Sequence, residues 1–484
     1  MNHISGTPRE QITLFPEAVE DYIADDNPVS FLDAYVDQLD MSTLGFQYAT
    51  VKETGRPPYN PKDFLKLYLY GYLNRIRSSR LLERETKRNL ELFWLLKRLS
   101  PDHKTISNFR KENAHALRET FKQFIILCKK LELFGNELVA IDSTKFKASN
   151  SGNRVKNKEQ LEKSIARINE SIDQYLEKLD HTDSVDNQTS VPLTKEQLQQ
   201  KIASLEQNKQ HLEQAKEELT QSNQKHISLT DPDCRLLKHG RHIEPAYSLQ
   251  TAVDAKHSLI VDYILTNDAA DYNYLSPLAA SAQNILEANN LTVVADTGYY
   301  DTVELKACED LSITAFVPPP KAPTSKEQKA PTPDYTRDKF VYDSSTDSYQ
   351  CPQGSSLFNS GVTLEKRGNR IVHVYRTDDC KCCQANTECS ASPRGRHINR
   401  WEHEAVVDRL KERLNRQPEI IVKRKEIIEH IFGTIKRVWG YGALLLRRMK
   451  NVASEVALVT LTYNIRRVLN IMGTKDLILH LQKL

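Results

Sequence analysis

Three acidic side chains stand in sequence settings that suit a divalent metal centre. Asp142 ends the apolar run 138–141, and Asp296 ends the mostly apolar run 291–295. Short apolar runs of this kind predict buried strands, each with a carboxylate at its end. Ligands bind at the strand ends of α/β sheets. Glu429 lies in a predicted helix, 423–438, which could lay its carboxylate across both strand ends.

These carboxylates predict metal-assisted phosphoryl transfer. Three carboxylates brought together repel one another unless cations neutralise them. Their hard oxygen atoms suit Mg²⁺, or Mn²⁺ as a substitute. Two such ions about 4 Å apart can activate a nucleophile and stabilise a leaving oxygen. We therefore expect Asp142, Asp296 and Glu429 to be both catalytic and metal-ligating.

The helix around Glu429 also carries cations. Lys425, Glu429 and Lys436 fall on one face by their spacing of three and four, which suits a site for metal and phosphate. An adjoining apolar stripe predicts packing on the core; it consists of Ile428, Ile431, Ile435 and Trp439. The alternative is an exposed Lys–Glu pair on an amphipathic helix, and only the two strand aspartates argue against it.

Five cysteines are gathered between residues 351 and 389. Cys380 and Cys383 have the C-x-x-C spacing of a metal knuckle, and Cys351 and Cys389 could complete four thiolates around Zn²⁺. Metal would then supply folding energy to a segment with little apolar content. The alternative is reduced, unliganded thiols in a loop, and Cys382 is spare in either case. The remaining thiols are predicted to be packed or exposed: Cys128, Cys234 and Cys308.

The charge distribution indicates a nucleic-acid partner. Residues 59–111 hold thirteen Lys and Arg against five acidic residues, and residues 393–450 hold fifteen against seven. Residues 1–40, by contrast, hold one basic residue and nine acidic ones. Basic blocks of this kind fit DNA binding, although solvated helix faces would look the same. Candidate phosphate contacts in the first block are Arg75, Arg77, Arg80 and Lys104.

The bulk properties argue against a membrane or secreted protein. The chain has 484 residues, of which 27% are charged and 39% hydrophobic. Its apolar runs are too short to span a bilayer, and its first residues do not resemble a secretory signal. We expect a location in a reducing cytosol, where cysteines are thiols or metal ligands rather than disulfides.

The elements that must position these residues alternate along the chain. Residues 60–133 have helical spacing with a basic face, and residues 246–317 alternate strand and helix patterns, which favours an α/β core. Between them, apolar residues from 161 to 219 follow a heptad spacing that is broken at 181–190. This pattern predicts an inserted antiparallel coiled-coil hairpin, with an intermolecular coiled coil as the alternative.

Three segments together resemble the signature segments of bacterial insertion-sequence DDE transposases. They are Ala140-Ile-Asp142-Ser-Thr-Lys-Phe-Lys-Ala148, Val294-Ala-Asp296-Thr-Gly-Tyr-Tyr-Asp301 and Ile428-Glu429-His-Ile-Phe-Gly-Thr-Ile-Lys436-Arg. The layout is most similar to the IS-eleven-eighty-two branch. Further similar segments are 59–62, 77–83, 101–110, 230–235 and 247–254, so that the resemblance covers about residues 45 to 470.

The resemblance implies an RNase H-like core with Asp142, Asp296 and Glu429 as its catalytic triad and Lys436 as a phosphate contact. Related families often carry Arg four residues before the Glu. This chain has Lys425 there, with Arg424 one residue earlier, and both are candidate DNA contacts. A lysine meets a phosphate as a point charge and cannot form the bidentate fork of arginine.

The implied organisation has six parts. They are an acidic leader, 1–50; an all-α N-terminal DNA-binding domain, 51–133; the first part of the α/β RNase H-like core, 134–154 and 227–320; a coiled-coil insertion, 155–226; a Cys-rich insertion, 321–400; and the rest of the core with the Glu helix and C-terminal helices, 401–484.

The resemblance also implies the partners and the reaction. They are the terminal inverted repeats of the element and a target DNA, bound by a homodimer or larger assembly without a membrane, in the bacterial cytoplasm at the nucleoid. Two alternatives remain: an inactive DNA-binding protein derived from a transposase, and a metal-dependent nuclease without strand transfer. A purely structural coiled-coil protein is disfavoured because heptads cover only residues 161–219.

Overall fold

A computed structural model describes residues 18–50, 57–184, 195–222, 224–240, 242–320, 332–365, 370–392 and 395–483. The helices within these ranges are α1 (Pro28–Gln38), α2 (Pro61–Leu73), α3 (Ser79–Glu85), α4 (Leu90–Leu95), α5 (His103–Glu112), α6 (Ala114–Lys130), α7 (Lys158–Ser184), α8 (Lys195–Gln221), α9 (Leu275–Leu286), α10 (Thr302–Asp310), α11 (Asn386–Cys389), α12 (Glu404–Arg416), α13 (Ile420–Gly433), α14 (Met449–Met472) and α15 (Thr474–Leu481).

The strands within the same ranges are β1 (Leu138–Lys147), β2 (Val155–Lys156), β3 (Ile227–Ser228), β4 (Arg235–His239), β5 (His242–Asp254), β6 (Ile260–Thr266), β7 (Thr292–Ala295), β8 (Thr314–Phe316), β9 (Val341–Asp343), β10 (Ser348–Gln350), β11 (Ser356–Glu365), β12 (Arg370–Arg376) and β13 (Ile398–Trp401). The chain divides into two compact units. Unit one is Met1–Gly135, Ser143–Ala269 and Ile427–Leu484, and unit two is Asn136–Asp142 and Ala270–Glu426.

Helix α14 is the central element of unit one. Nearly every side chain from Val452 to Ile465 is buried, which is the pattern of a helix surrounded by other elements. It packs against α2, α5, α6 and strand β6. Helix α2 begins at Pro61, whose missing amide hydrogen is not needed at a first helical position.

Two features of the helical region were not predicted from the sequence. The acidic leader contributes a helix, α1, with five buried side chains, and its Asp33 and Asp37 pair with the buried ammonium of Lys66 at 2.6 and 2.8 Å. The last part of the region with helical spacing forms two helices, α5 and α6, which meet at Asn113. The buried side chain of Asn113 accepts a hydrogen bond from the backbone of Gln47 instead of facing solvent.

Helices α7 and α8 form an antiparallel hairpin within unit one. Leu161 near the start of α7 packs with Leu212 and Leu219 towards the end of α8. Lys216 forms an ion pair with Glu162 at 2.9 Å across the two helices. The predicted break in the heptads is 181–190, and its residues 185–190 lie outside the described residues.

Strand β1 belongs to both units. Its residues up to Asp142 are in unit two, and those from Ser143 onwards are in unit one. In unit two, β1 pairs in parallel with β7, and β7 pairs in parallel with β8. In unit one, β5 pairs antiparallel with β4 and with β6. The strand order of this sheet is β4-β5-β1-β7-β8, with β6 also paired to β5. The predicted alternation of strands and helices from 246 to 317 is confirmed.

The cysteine-bearing segment of unit two is a second, antiparallel sheet with the order β13-β12-β11-β10-β9. It has an apolar cluster of its own, made by Phe340, Tyr349, Leu357, Tyr375 and Ile398. The segment was predicted to have little apolar content, yet this cluster gives it apolar packing besides any contribution from metal. Its aromatic side chains are spread over short strands, so that no single run of sequence looks hydrophobic.

Candidate active site

The register of β1 and β7 brings Asp142 and Asp296 together in unit two. Ile141 and Ala295 are direct partners in these parallel strands, and each aspartate is the next residue of its chain. Neighbouring strands lie about 5 Å apart, and residues at the same level point to the same side of a parallel pair. The two carboxyl groups are therefore adjacent, on a site that is neither fully buried nor fully exposed.

Asp296 is oriented by the turn that follows its strand. Its carboxylate accepts a hydrogen bond from the backbone of Gly298 at 2.9 Å and so caps the short helical turn at 297–299. A Cβ atom at position 298 would lie 3.0 Å from Oδ1 of Asp296 and 3.6 Å from Oδ2 of Asp271. Glycine thus leaves open the space between two carboxylates, and Asp271 is a neighbour that the sequence analysis missed.

Asp142 is held by a cation from helix α13. The Nη1 atom of Arg424 donates a hydrogen bond to Oδ2 of Asp142, and both residues belong to unit two. Their side chains are 12% and 19% exposed, so water screens the pair only weakly. The Nε atom of Arg424 is buried and has no hydrogen-bond partner among the described residues.

Glu429 and Lys425 lie one helical turn apart on α13 and are both exposed. The predicted apolar stripe is confirmed, since Ile428, Ile431 and Ile435 are all buried. The helix continues beyond Gly433 as a π-helical turn at 434–438, a wider turn that is frequent at functional sites. Glu429 belongs to the part of α13 in unit one, whereas the two aspartates belong to unit two.

Lys436, the predicted phosphate contact, faces inward within unit one. Its ammonium donates a hydrogen bond to the backbone oxygen of Lys145 at 2.5 Å and lies 5.3 Å from the centre of the Phe146 ring. Burial lowers the pKa of Lys436 to about 8, and the nearby charge of Lys145 acts in the same direction. In this arrangement Lys436 braces strand β1, the strand that carries Asp142.

The donor chemistry of the aspartate pair fits a hard divalent cation. Carboxylate oxygens are the ligands that Mg²⁺ prefers, and Gly298 keeps the space beside Asp296 free of side-chain atoms. Within the described part of the chain, however, no three or more His, Cys, Asp or Glu side chains form a group that could hold a metal ion. The two aspartates alone would be an incomplete ligand set.

The four cysteines predicted to bind zinc are neighbours in unit two. Burial raises the pKa of Cys389 to about 11, and the charges of Cys380, Cys351 and Cys383 add to that effect. Burial also raises the pKa of Cys380. The four thiols are part of the described chain and do not form a metal-holding group there, so zinc stays a prediction. The isolated thiols Cys128, Cys234 and Cys308 are buried.

One of the four candidate DNA contacts of the helical region has an internal role. Arg77 donates a hydrogen bond to the buried carboxylate of Glu455 at 3.0 Å and lies over the ring of Tyr441. The role of Arg77 as a phosphate contact stays a prediction beside this internal one. Three of the four are exposed and available to a partner: Arg75, Arg80 and Lys104.

Several other polar residues of unit one hold the backbone together. Asp231 accepts hydrogen bonds from the hydroxyl of Tyr247 and the backbone of Arg448, and Asp254 accepts from the backbone of Gly135 and Lys256. These hydrogen bonds connect segments of unit one that are distant along the chain. A further residue, His430, makes a hydrogen bond of 3.0 Å with the hydroxyl of Tyr463.

Comparison with known proteins identifies the class. Residues 17–112 match the family model described as a transposase domain, DUF772, and residues 350–469 match the model described as a transposase DDE domain. The chain is a DNA transposase, an enzyme class that cleaves and joins DNA strands. Within that class it is an insertion-sequence DDE transposase. The second match includes Glu429 and Lys436, whereas Asp142 and Asp296 lie outside both matches.

Other comparisons add little to this assignment. The search of curated proteins gives no match. A solved structure of the piggyBac transposase synaptic complex with hairpin DNA is 9% identical, with a TM-score of 0.34 over 94% of this chain and 79% of that one. A score this low carries no argument about the site.

In the described part of the chain, no helix has the length and apolar character needed to cross a membrane.

Proposed function

We propose that this transposase cuts DNA at the ends of its own element and joins them to a target, with Asp142, Asp296 and Glu429 as ligands of two Mg²⁺ or Mn²⁺ ions. The adjacency of Asp142 and Asp296, where the paired stretch of the parallel strands β1 and β7 ends, carries the proposal. Two carboxylates at that spacing repel each other, and a shared cation relieves the repulsion. Glu429, exposed on α13, supplies the third carboxylate.

We infer an RNase H-like fold for the catalytic core, and membership of the IS-eleven-eighty-two branch. The strand order β6-β5-β1-β7-β8, with parallel β1, β7 and β8, supports the inference about the fold. The ion pair and the apolar contacts between α7 and α8 support an antiparallel coiled coil within this one chain. Such an insertion leaves the order of the core strands unchanged.

The residues of the chain have distinct tasks in the proposed reaction. When bound, the ions activate the attacking oxygen and stabilise the leaving oxygen, and they serve cleavage and joining alike. Asp142 and Asp296 have adjacent carboxylates because each directly follows the last paired residue of β1 and β7. Lys425 is exposed on the helix of Glu429, where it can contact a DNA phosphate as a point charge.

DNA binding by the helical region is proposed through its exposed cations. Arg75, Arg80 and Lys104 are not drawn into the interior, in contrast to Arg77. Phosphate contacts of this kind make the affinity fall as salt rises. Because two element ends must be held together, we propose a homodimer or a larger assembly on the DNA, located at the nucleoid in the bacterial cytoplasm.

The proposal is tested with a duplex that carries an end of the element. With Mg²⁺, the unaltered chain should cleave this duplex and join it to a second DNA, and Asp142→Asn or Glu429→Gln should abolish both products. The loss should be about 100-fold or more, since metal-ion catalysis contributes several kcal/mol. DNA binding, measured by fluorescence anisotropy, should persist in both variants.

Glu426→Gln is the matched control, since Glu426 is exposed on the same helix, one turn before Glu429. It should cleave and join like the unaltered chain. Full activity in Asp142→Asn would refute the catalytic assignment. Cleavage without joined products would favour the metal-dependent nuclease, and DNA binding without any cleavage by the unaltered chain would favour the inactive derivative.

A further inference from the structure

The ion pair between Arg424 and Asp142 places a cation on a carboxylate that the proposed function assigns to metal. Both side chains are largely shielded from water, at 12% and 19% exposure. Hydrogen bonds between ionised groups are stronger than those between neutral groups, and the low local dielectric strengthens this one further. The charge of Arg424 therefore acts strongly on the carboxylate of Asp142.

The helical spacing explains why Arg424 and not Lys425 makes this contact. Arg424 is four residues before Ile428 and seven before Ile431, and both isoleucines are buried. Residues with that spacing share a helix face, so the guanidinium is directed inward. Lys425 instead shares the exposed face with Glu429. An arginine at position 424 therefore contacts a different surface from one at position 425, where related families often carry it.

Two consequences follow for the carboxylate of Asp142. The guanidinium neutralises one member of an aspartate pair whose mutual repulsion would otherwise push the two apart. The same guanidinium occupies Oδ2, so that a divalent cation at Asp142 has to displace it or share the carboxylate with another positive charge. Each consequence depends on the contact itself and not on the net charge of the helix.

We propose that Arg424 is a positioning residue that holds Asp142 beside Asp296 and competes with divalent ions for its carboxylate. This inference rests on the proposed function, since it presumes that Asp142 is a metal ligand. The competition raises the ion concentration that the enzyme needs. It also keeps the aspartate pair in place until an ion takes over the neutralising role.

The test is Mn²⁺ binding to the full chain without DNA, measured by electron paramagnetic resonance. Arg424→Gln should bind Mn²⁺ about tenfold more tightly than the unaltered chain, because a hydrogen bond between charged groups no longer has to be broken. Arg424→Lys, which keeps the charge, should restore most of the original affinity. Lys423→Gln removes an exposed charge from the same helix turn and should change the affinity by less than about twofold.

Two further variants separate this inference from the proposed function. The tightening should vanish when Arg424→Gln is combined with Asp142→Asn, which removes the carboxylate for which the two cations compete. If Asp142→Asn alone binds Mn²⁺ like the unaltered chain, the proposed metal site is refuted and this inference with it. If that variant loses binding but Arg424→Gln leaves the affinity unchanged or weaker, the inference alone is overturned. Should Arg424→Gln fail to fold, Arg424→Met is measured in its place under the same criteria.

Discussion

Asp142 and Asp296 stand side by side because Ile141 and Ala295 are direct partners in the parallel strands β1 and β7. The backbone pairing places the two residues side by side, and the ion pair with Arg424 also contacts the carboxylate of Asp142. The open space beside Asp296 depends in turn on Gly298, which has no side chain to fill it. Substitution at this glycine therefore probes the candidate metal site without removing a ligand.

Gly298→Ala should lower metal-dependent cleavage about tenfold, since small displacements of reacting groups have large effects on rate. The added Cβ would lie 3.0 Å from Oδ1 of Asp296 and so would force that carboxylate to move. The Mg²⁺ concentration for half-maximal cleavage should rise in parallel. Gly152→Ala is the control, because a Cβ there meets no atom within 4 Å. Equal metal dependence in both variants would contradict the role given to Gly298.

Substitutions of Arg77 and Arg80 should have different effects, the first on stability and the second on DNA binding. Arg77 pairs with Glu455, whose side chain is fully buried and also accepts hydrogen bonds from the backbone of Leu445 and Leu446. Arg77→Gln leaves that carboxylate without its cation. The free energy of unfolding should fall by about 3 kcal/mol, the effect of breaking a buried ion pair. Urea denaturation measures the change, and an unaltered midpoint would contradict it.

Arg80→Gln should have the opposite pattern, because Arg80 is exposed. Its midpoint of urea denaturation should be unchanged. The slope of log affinity for DNA against log salt concentration should become shallower by about one unit, as expected for the loss of one phosphate contact. Fluorescence anisotropy at several salt concentrations provides the slope. A slope equal to that of the unaltered chain would remove Arg80 from the DNA contacts.

The sequence predicted both aspartates as strand-end residues, because an apolar run that ends in a carboxylate is a local pattern. This prediction is confirmed for Asp296 but was wrong for Asp142, since β1 continues to Lys147. The sequence could not predict that β1 would pair with β7, since that pairing joins segments about 150 residues apart. Asp271 was missed because it lies in a loop without any periodic signal. Its proximity to Asp296 results from the fold alone.

The least predictable feature was whether a cationic side chain points into the protein or towards solvent. Arg77 and Lys436 were both expected to meet phosphate, yet they contact Glu455 and the backbone of Lys145. Long cationic side chains can bury their apolar stems and still satisfy their charge at a distant partner. Such a partner is invisible in a local pattern of residues. For Lys436 the inward contact leaves its phosphate role a proposal.

The predicted zinc site in the cysteine-bearing segment of unit two can be tested by measuring the zinc content of the purified protein. If the predicted site forms, purified protein should carry about one zinc per chain, the number that four thiolates bind. Cys380→Ser should lose that zinc and lower the unfolding temperature, because metal binding contributes to folding. Cys382→Ser is the matched control, since Cys382 is exposed and spare. Zinc-free protein, or equal zinc in both variants, would end the prediction.

Lys436 should make stability depend on pH in alkaline solution. Burial lowers its pKa to about 8 in the folded chain, whereas an unfolded lysine has a pKa of about 10.4. Between these values the unfolded chain binds more protons, so the free energy of unfolding contributed by this residue rises as pH rises. Below the folded pKa, both states are protonated and the charged form is disfavoured by burial in the folded chain alone.

Lys436→Met should therefore remove an increase in stability between about pH 7.5 and about pH 9.5. Urea denaturation at these two values measures the increase in the unaltered chain and its loss in the variant. Lys423→Met is the control, because Lys423 is exposed on the neighbouring helix α13 and should leave the pH dependence unchanged. The same pH dependence of stability in all three proteins would show that Lys436 is not desolvated in the folded chain.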